Sequence, residues 1–227
     1  MDFEGTPGPT TYVQMTLRSW WDNLPLVLLA GFVFVGVSAP ALALFFLALF
    51  GPVILVVALT VVPAWVALLA QLADIAREVK TNIGVMFKSL VRYWARSAVL
   101  GLLVAFPAVM FMLALPALGR EQVPVFVWVS FAVDGLVALL LLALLVYAGP
   151  LLVMHDLSIR DALRNGLILS ARYPMNTLGI MGMVVIFVFA TIRVHSLLIF
   201  LWPALWGLFV VNNCRMVVSQ ELAQNAD

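Results

Sequence analysis

Two long stretches without charge constrain this chain more than any other feature. No Asp, Glu, Lys or Arg occurs between Asp22 and Asp74, and none occurs between Asp134 and Asp156. A helix rises about 1.5 Å per residue, so about 20 apolar residues cross the hydrocarbon core of a bilayer, which is about 30 Å thick. Backbone groups in that core must be satisfied within the segment, and unbroken apolar runs favour helices over barrel strands. The sequence therefore predicts an all-α polytopic membrane protein.

The composition leads to the same fold class and excludes several functions. The 227 residues are 65% hydrophobic and 10% charged, with a mean hydropathy of +1.14. Soluble domains are about half apolar and about a quarter charged, so lipid must surround most of this protein. A net charge of +1 gives no basis for nucleic-acid binding. The single cysteine, Cys214, excludes an intramolecular disulfide and a cysteine-based zinc site.

We predict about six transmembrane helices in three hairpins, each hairpin preceded by an interfacial amphipathic helix. One transmembrane domain covers 24–214, between an N-terminal tail with an interfacial helix (1–23) and a C-terminal tail (215–227). The first two spans share 24–72, and we place their turn at Gly51-Pro52, within the range 36–53; an earlier turn or a kink at Pro40 is the alternative. The remaining spans are predicted at 98–118, 123–150, 175–192 and 196–213.

Two charged connectors, about 74–97 and 156–173, are predicted to be surface helices. In the second, Ser158 followed three residues later by Asp161 is typical of a helix start. Basic residues recur in both connectors at helical spacing, and we expect them to face anionic lipid headgroups or to dock a partner: Lys88, Arg92, Arg96, Arg160, Arg164 and Arg172.

The distribution of basic residues predicts the orientation. The two connectors hold eight of the twelve Lys and Arg residues, whereas the intervening turns hold only Arg120 and Arg193. Positively charged connectors stay on the cytoplasmic side. We therefore expect a multi-pass protein of the bacterial cytoplasmic membrane with both termini in the cytoplasm.

A faint internal repeat accompanies the three hairpins. Pro63-Ala-Trp65 precedes Arg77, and Pro203-Ala-Leu-Trp206 precedes Arg215, while Pro150-Leu-Leu is a looser third copy. Repeats are common in transporter folds. Shared membrane composition explains a similarity this low equally well, so both explanations stay open.

Asp134 is the residue with the strongest functional signal. It lies eleven residues past Val123 and therefore near mid-membrane, with Ser130 one turn before it. An acid at that depth costs about 2.5–3.5 kcal/mol on insertion scales and marks a functional site by default. Either Asp134 couples to a proton, a cation or a cationic substrate, with Ser130 beside it, or it is a protonated carboxyl bonded to another helix or a partner subunit.

Other chemistry-bearing residues are few. His155 and His195 are predicted on opposite membrane faces, so they cannot share a metal, and neither has ligands at metal-site spacing. Either histidine is a candidate axial ligand of a pigment or haem, although an interfacial structural role is commoner. No phosphate-binding loop, metalloprotease motif or nucleophile elbow occurs. We predict no cofactor, no metal site, no catalytic residues and no enzymatic activity.

The later part of the chain resembles the YesL-like family of small bacterial membrane proteins, which has no agreed biochemical activity. The segments that carry the resemblance are Tyr147-Ala-Gly-Pro150-Leu-Leu, Arg160-Asp-Ala-Leu-Arg-Asn165-Gly-Leu, Ala171-Arg-Tyr-Pro174, Pro63-Ala-Trp65 and Phe87-Lys-Ser-Leu-Val-Arg-Tyr-Trp94. These motifs are topological, and they carry over no catalytic residues. The resemblance implies an accessory role beside a carbohydrate importer. The long uncharged stretch 24–72 departs from the family pattern.

These observations predict a non-enzymatic integral membrane subunit, an accessory or scaffolding component of a larger assembly such as a carbohydrate importer. Its expected partners are anionic lipid headgroups and another membrane protein. A stand-alone transporter of small solutes or coupled ions that uses Asp134 is the first alternative. A pigment- or haem-binding subunit of an energy-transducing complex is the second.

Overall fold

Helices make up nearly all of the part of the chain that the computed structural model describes, which is residues 9–118, 123–193, 195 and 198–224. No strand occurs in those residues. The helices, in chain order, are α1 Pro9–Asp22, α2 Leu24–Phe46, α3 Phe50–Val56, a π-helical turn Val57–Val61, α4 Val62–Ala76, α5 Ile83–Leu118, α6 Val125–Met154, α7 Ile159–Arg172, α8 Pro174–Arg193 and α9 Leu198–Gln224.

Six of these segments are long and apolar enough to cross a membrane. They are α2, the continuous segment Phe50–Ala76, α5, α6, α8 and α9. The all-α polytopic fold with six spans is therefore confirmed. The predicted interfacial helix within 1–23 is α1, which begins at Pro9. The predicted turn that holds Arg120 lies outside the described residues.

The first hairpin turns between Phe46 and Phe50, where Ala48 has a φ of 56°. This position is inside the predicted range 36–53 but ahead of Gly51-Pro52. Those two residues lie in the first turn of α3 instead, where a proline needs no hydrogen-bond partner for its nitrogen. Pro40 lies inside α2, so the alternative of an earlier turn at Pro40 is wrong.

The predicted separate surface helix over 74–97 is also wrong. α4 continues to Ala76, the chain turns through 77–82 with Glu78 at a φ of 56°, and α5 then runs for 36 residues into the third span. The backbone N–H of Gly84 donates to the Asn82 side chain at 2.8 Å, which caps the new helix. No glycine or proline separates Arg96 from Ala98, so nothing ends the helix before the membrane.

The second predicted surface helix, by contrast, is a separate element. α7 begins after Ser158, whose hydroxyl accepts from the backbone N–H of Asp161 at 3.2 Å and donates to the Asp161 carboxylate at 2.6 Å. α8 begins at Pro174, in the first helical turn, where a proline needs no hydrogen-bond partner for its nitrogen.

The predicted C-terminal tail 215–227 is helical wherever it is described. α9 continues past Arg215 to Gln224, the last described residue of this helix. No glycine or proline after Gly207 interrupts it. Val217 is fully buried, and Met216 and Val218 pack against the core. Burial of these side chains holds the last turns of α9 on the bundle.

The core is concentrated at one end of the bundle, where α4, α6 and α9 end. Arg77 donates to the carbonyl of Met154 at 2.9 Å, and Arg215 donates to the carbonyl of Ala76. These arginines follow the two Pro-Ala segments. Each donates a hydrogen bond to a backbone carbonyl in the last turn of a neighbouring helix, which has no partner within that helix. We call this region, with the loops 77–82 and 155–158 and α7, the basic end.

Packing thins toward the opposite end. Within the most apolar 18 residues of each span, the share that is buried inside the protein differs widely. It is 56% in α9, 22% in α5 and 11% in α8. The exposed residues on α5, α6 and α8 are large and apolar, among them Phe106, Val133 and Phe189. The halves of α5, α6 and α8 far from the basic end therefore contact few other parts of the described chain, and we call them the outer halves.

Candidate functional site

Asp134 lies on the side of α6 that faces the protein. Val127 is buried and Phe131, Asp134 and Ala138 are partly buried, whereas the residues between them are exposed. Spacings of three and four place these residues on one helix face. The Phe131 ring meets the Phe111 ring of α5 edge-on, with centroids 5.0 Å apart. Asp134 is therefore beside the contact between α5 and α6, about 14 Å along α6 from its start.

The Asp134 carboxyl has no hydrogen-bond or ion-pair partner among the described residues. The predicted neighbour Ser130 is exposed and donates to the carbonyl of Phe126 at 2.9 Å, so no hydrogen bond joins it to Asp134. Nothing lies within 4 Å of the place where a Gly135 side chain would begin. The carboxyl is thus in an apolar region with open space beside it on the helix.

At the basic end, two of the predicted docking arginines form an internal ion pair. Arg92 and Arg96 of α5 hold the two carboxylate oxygens of Asp156 at 2.7 and 2.9 Å. Asp156 has a φ of 48° and lies in the loop between α6 and α7. Burial alone would raise the pKa of Asp156, but the hydrogen bonds and charges of Arg92 and Arg96 lower it below its ordinary value.

Arg172 is also engaged within the protein. It donates to the Glu221 carboxylate of α9 at 2.6 Å and approaches the Gln224 side chain at 3.5 Å. The pKa of the neighbouring Tyr173 is raised by burial and by the Glu221 carboxylate. This pair ties the end of α7 to the last turns of α9.

The other three predicted docking residues, Lys88, Arg160 and Arg164, are exposed and have no partner among the described residues. The four-residue spacing thus predicted a basic surface made of six residues. Three of them, Arg92, Arg96 and Arg172, instead form ion pairs within the protein. The described structure leaves a smaller set of cations available to lipid or protein.

A polar network inside the core was not predicted from the sequence. The Tyr147 side chain is fully buried, and its hydroxyl lies 3.3 Å from the Asn213 amide nitrogen and 3.4 Å from the Thr177 hydroxyl. Asn212 donates to Thr16 of α1 at 3.0 Å. The Asn212-Asn213 pair in an apolar run was the available signal. These hydrogen bonds connect α1, α6, α8 and α9, so the network stabilises the packing of the helices.

Gln71 is an exception within this core. It is fully buried in α4, and neither its amide nitrogen nor its oxygen has a hydrogen-bond partner among the described residues. Burying an unpaired amide costs about 1–3 kcal/mol in proteins. No described feature near Gln71 accounts for that cost.

The remaining candidates do not form a site. His155 follows α6 at the basic end, and His195 follows α8 near the opposite end, so the structure does not bring them together. Over 9–118, 123–193, 195 and 198–224, no three His, Cys, Asp or Glu side chains are grouped as metal ligands. Cys214 is buried and free.

Similarity to other proteins does not identify a function for this arrangement. No protein-family model, no curated protein and no solved structure matches the chain. The resemblance to the YesL-like family therefore stays a prediction.

Proposed function

We propose that this protein is a non-enzymatic membrane subunit that binds a partner membrane protein through the outer halves of α5 and α6. The observation that carries the proposal is the unpaired carboxyl of Asp134 beside the contact between these helices. A polar group in hydrocarbon stabilises helix association when a neighbouring helix supplies its hydrogen bond. A partner helix with a donor at this depth would satisfy Asp134.

The packing of the outer halves supports the same proposal. Phe106, Phe111 and Leu113 of α5 and Phe126 and Trp128 of α6 are exposed, while the Phe111–Phe131 contact holds the two helices together. Membrane helices associate by close packing and by interhelical hydrogen bonds. A firm hairpin with a large apolar surface and one polar group suits a contact with another membrane protein.

The location and assembly belong to the proposal as well. The basic end faces the cytoplasm of a bacterial cell, because Lys and Arg on short connectors favour that side. Both termini are then cytoplasmic. The resemblance to the YesL-like family makes a carbohydrate importer the proposed larger assembly.

The test is purification from native membranes in mild detergent, with Asp134 variants. We expect a membrane protein to co-purify in fixed stoichiometry, Asp134→Leu to release it, and Asp134→Asn to retain part of it through the remaining hydrogen bond. Val185→Leu, on the exposed side of α8 and away from the proposed contact, is the control and should change nothing. A chain that purifies alone from native membranes, with wild-type Asp134, contradicts the proposal.

The unpaired Asp134 also supports a second candidate, an ion-coupled transporter. Proton flux into liposomes that contain only this protein, followed with an enclosed pH-sensitive dye under an imposed membrane potential, separates the two. The transporter predicts a flux that Asp134→Asn removes. The subunit proposal predicts no flux above that of protein-free liposomes.

A further inference from the structure

A groove lies at the basic end, between the end of α6, α7 and the last turns of α9, and its volume is about 480 Å³. Apolar side chains make up most of its described wall, among them Ile168 and Leu222. His155, Asn165 and Glu221 supply the polar part, and no lysine or arginine is among the described residues that line it. Sites for small molecules have volumes of about 300–1,000 Å³ and combine apolar walls with a few polar groups. The groove therefore has the size and the composition of a ligand site.

Glu221 carries an unpaired oxygen in this wall. Its Oε2 accepts a hydrogen bond from Arg172 at 2.6 Å, whereas its Oε1 is buried and has no hydrogen-bond partner among the described residues. The neighbouring Tyr173 does not supply this hydrogen bond. A carboxylate oxygen has two acceptor sites, and burial of a polar atom without a partner is unfavourable. The wall therefore favours a ligand that brings a hydrogen-bond donor.

This need for a donor distinguishes between classes of apolar ligand. Quinones offer Oε1 only further acceptors, and a fatty acid brings a carboxylate that Glu221 repels. An ammonium group fits better, because a charged donor makes a shorter and stronger hydrogen bond to a carboxylate than a neutral donor makes. His155 and Asn165 carry N–H groups that can donate to an anionic group beside the ammonium. The polar part of the wall therefore matches a zwitterion with N–H groups on its cation.

The helices around the groove place it near the level of lipid headgroups. α6, which forms one side, is a candidate membrane span that ends here. α7, which forms another side, has Arg160 and Arg164 exposed on one face and Leu169 buried on the opposite face. Amphipathic helices of this kind lie at the membrane surface, with their apolar side chains about 5–10 Å into the boundary between headgroups and acyl chains. An acyl chain at that boundary covers Ile168 and Leu222, which are 47% and 67% exposed.

We propose that this groove binds phosphatidylethanolamine, with the lipid ammonium on Glu221 and an acyl chain along the apolar wall. The last torsion of a glutamate side chain has a broad minimum, so a small rotation turns Oε1 toward the ammonium while Oε2 stays with Arg172. The other polar side chains of the wall donate to the lipid phosphate. The site is separate from Asp134, and the proposal does not rest on the role of the protein as a subunit.

Two lipids that differ only in the headgroup nitrogen test the proposal. Phosphatidylethanolamine carries N–H groups, whereas phosphatidylcholine with the same acyl chains carries methyl groups and no donor. The purified full chain is titrated with each lipid in mild detergent, and native mass spectrometry measures the fraction of protein with bound lipid. We expect phosphatidylethanolamine to bind at least about fivefold more tightly, a difference of about 1 kcal/mol. Equal affinities for the two lipids would overturn the proposal.

Two variants separate the unpaired oxygen from the ion pair. Glu221→Gln and Arg172→Gln both break the pair between α7 and α9, but only Arg172→Gln keeps the carboxylate. The preference for phosphatidylethanolamine should fall below about twofold in Glu221→Gln and stay at about fivefold or more in Arg172→Gln. Loss of the preference in both variants would assign it to the ion pair, and its retention in Glu221→Gln would exclude Oε1. Either result contradicts the proposal.

A second pair of variants locates the acyl chain. Ile168 and Leu167 are adjacent exposed residues of α7, but of the two only Ile168 lines the groove. Ile168→Asn should weaken the binding of both lipids by at least about threefold, whereas Leu167→Asn should change it by less than about twofold. Equal effects of the two variants would place the acyl chain outside the groove.

An anionic lipid is the remaining competitor for the groove. Phosphatidylglycerol that binds more tightly than phosphatidylethanolamine, and that Ile168→Asn weakens while Leu167→Asn does not, would make the groove a site for anionic lipid and would refute the proposal. Because every titration uses the purified chain alone, the result decides about the groove even if no membrane partner co-purifies and the proposed function fails.

Discussion

The indole rings of Trp65 and Trp206 stack with their centroids 4.6 Å apart and their planes 26° apart. Trp65 is near the start of α4 and Trp206 is in α9, and each follows a Pro-Ala pair. The Trp206 nitrogen also donates to the carbonyl of Ile180 at 3.0 Å, which connects the pair to α8. The stacked rings join α4 to α9, and the hydrogen bond of Trp206 adds α8, which is the least buried of the six spans.

The first prediction concerns this contact. Trp65→Ala should destabilise the protein by about 3 kcal/mol, because it removes a large side chain from a packed contact and leaves a cavity. Trp128→Ala is the control, since Trp128 of α6 is 58% exposed and should contribute less than about 1 kcal/mol. Melting temperatures in one detergent compare the two variants. Equal decreases in melting temperature would mean that the stacked pair stabilises the fold no more than an exposed tryptophan does.

The second prediction concerns the approach of α5 to the π-helical turn. A side chain on Gly101 would begin 2.3 Å from the carbonyl oxygen of Ala58 and 2.7 Å from its Cα, both backbone atoms. Gly101→Ala must therefore push the helices apart, and we expect a loss of about 1–3 kcal/mol. Trp94 donates to the adjacent carbonyl of Leu59 at 3.0 Å, so its fluorescence should change as well.

Gly135 provides the matched control for Gly101. Nothing lies within 4 Å of a side chain placed there, and the residue is inside α6. Gly135→Ala should leave the fold intact and stabilise the helix by about 0.5–1 kcal/mol, the usual effect of removing a glycine from a helix interior. A lower melting temperature for Gly135→Ala than for Gly101→Ala would refute the close approach.

The third prediction concerns the buried hydroxyl of Tyr147. Tyr147→Phe removes the group that the Asn213 amide reaches and leaves that amide buried without a partner, which costs about 1–3 kcal/mol. Tyr93→Phe is the matched control, because Tyr93 is also buried but no hydrogen bond of its hydroxyl is found among the described residues. Thermal unfolding should distinguish them. A loss from Tyr93→Phe as large as that from Tyr147→Phe would argue against the network.

The sequence predicted the six spans because charge gaps report where lipid replaces water. The sequence did not predict where some helices begin and end, because nothing in it shows whether a helix continues or stops at those positions. Asn82 caps α5, but no signal between Arg96 and Ala98 separates a surface helix from a span. Likewise Gly51-Pro52 is compatible with either a turn or a first helical turn, and only packing selects between them.

The candidate sites divide in the same way. The depth of Asp134 follows from counting residues, and its position within a predicted span is confirmed by α6. Its lack of a partner depends on the tertiary structure. The Arg96–Asp156 pair joins residues 60 positions apart, so no local pattern reports it. Spacing therefore predicts which residues share a face, whereas pairing across helices requires the fold.

The last prediction follows from the pair that Arg92 and Arg96 make with Asp156. Their charges and hydrogen bonds lower the pKa of this aspartate in the folded protein below its ordinary value of 3.8. An acid whose pKa is lower in the folded state than in the unfolded state stabilises the fold above the unfolded pKa, and that stabilisation disappears as the pH falls through the folded pKa. Wild type should therefore melt above Asp156→Asn at pH 7, and the difference should shrink as the pH falls below about 4. Asp22→Asn is the control. Among the described residues Asp22 pairs with Arg18 alone, in an exposed contact at 3.5 Å, so this variant should shift the melting temperature little at any pH. A constant gap between wild type and Asp156→Asn from pH 7 to pH 3 would mean that Asp156 acts through the shape of its loop, since charge pairing must be lost when the carboxylate is protonated.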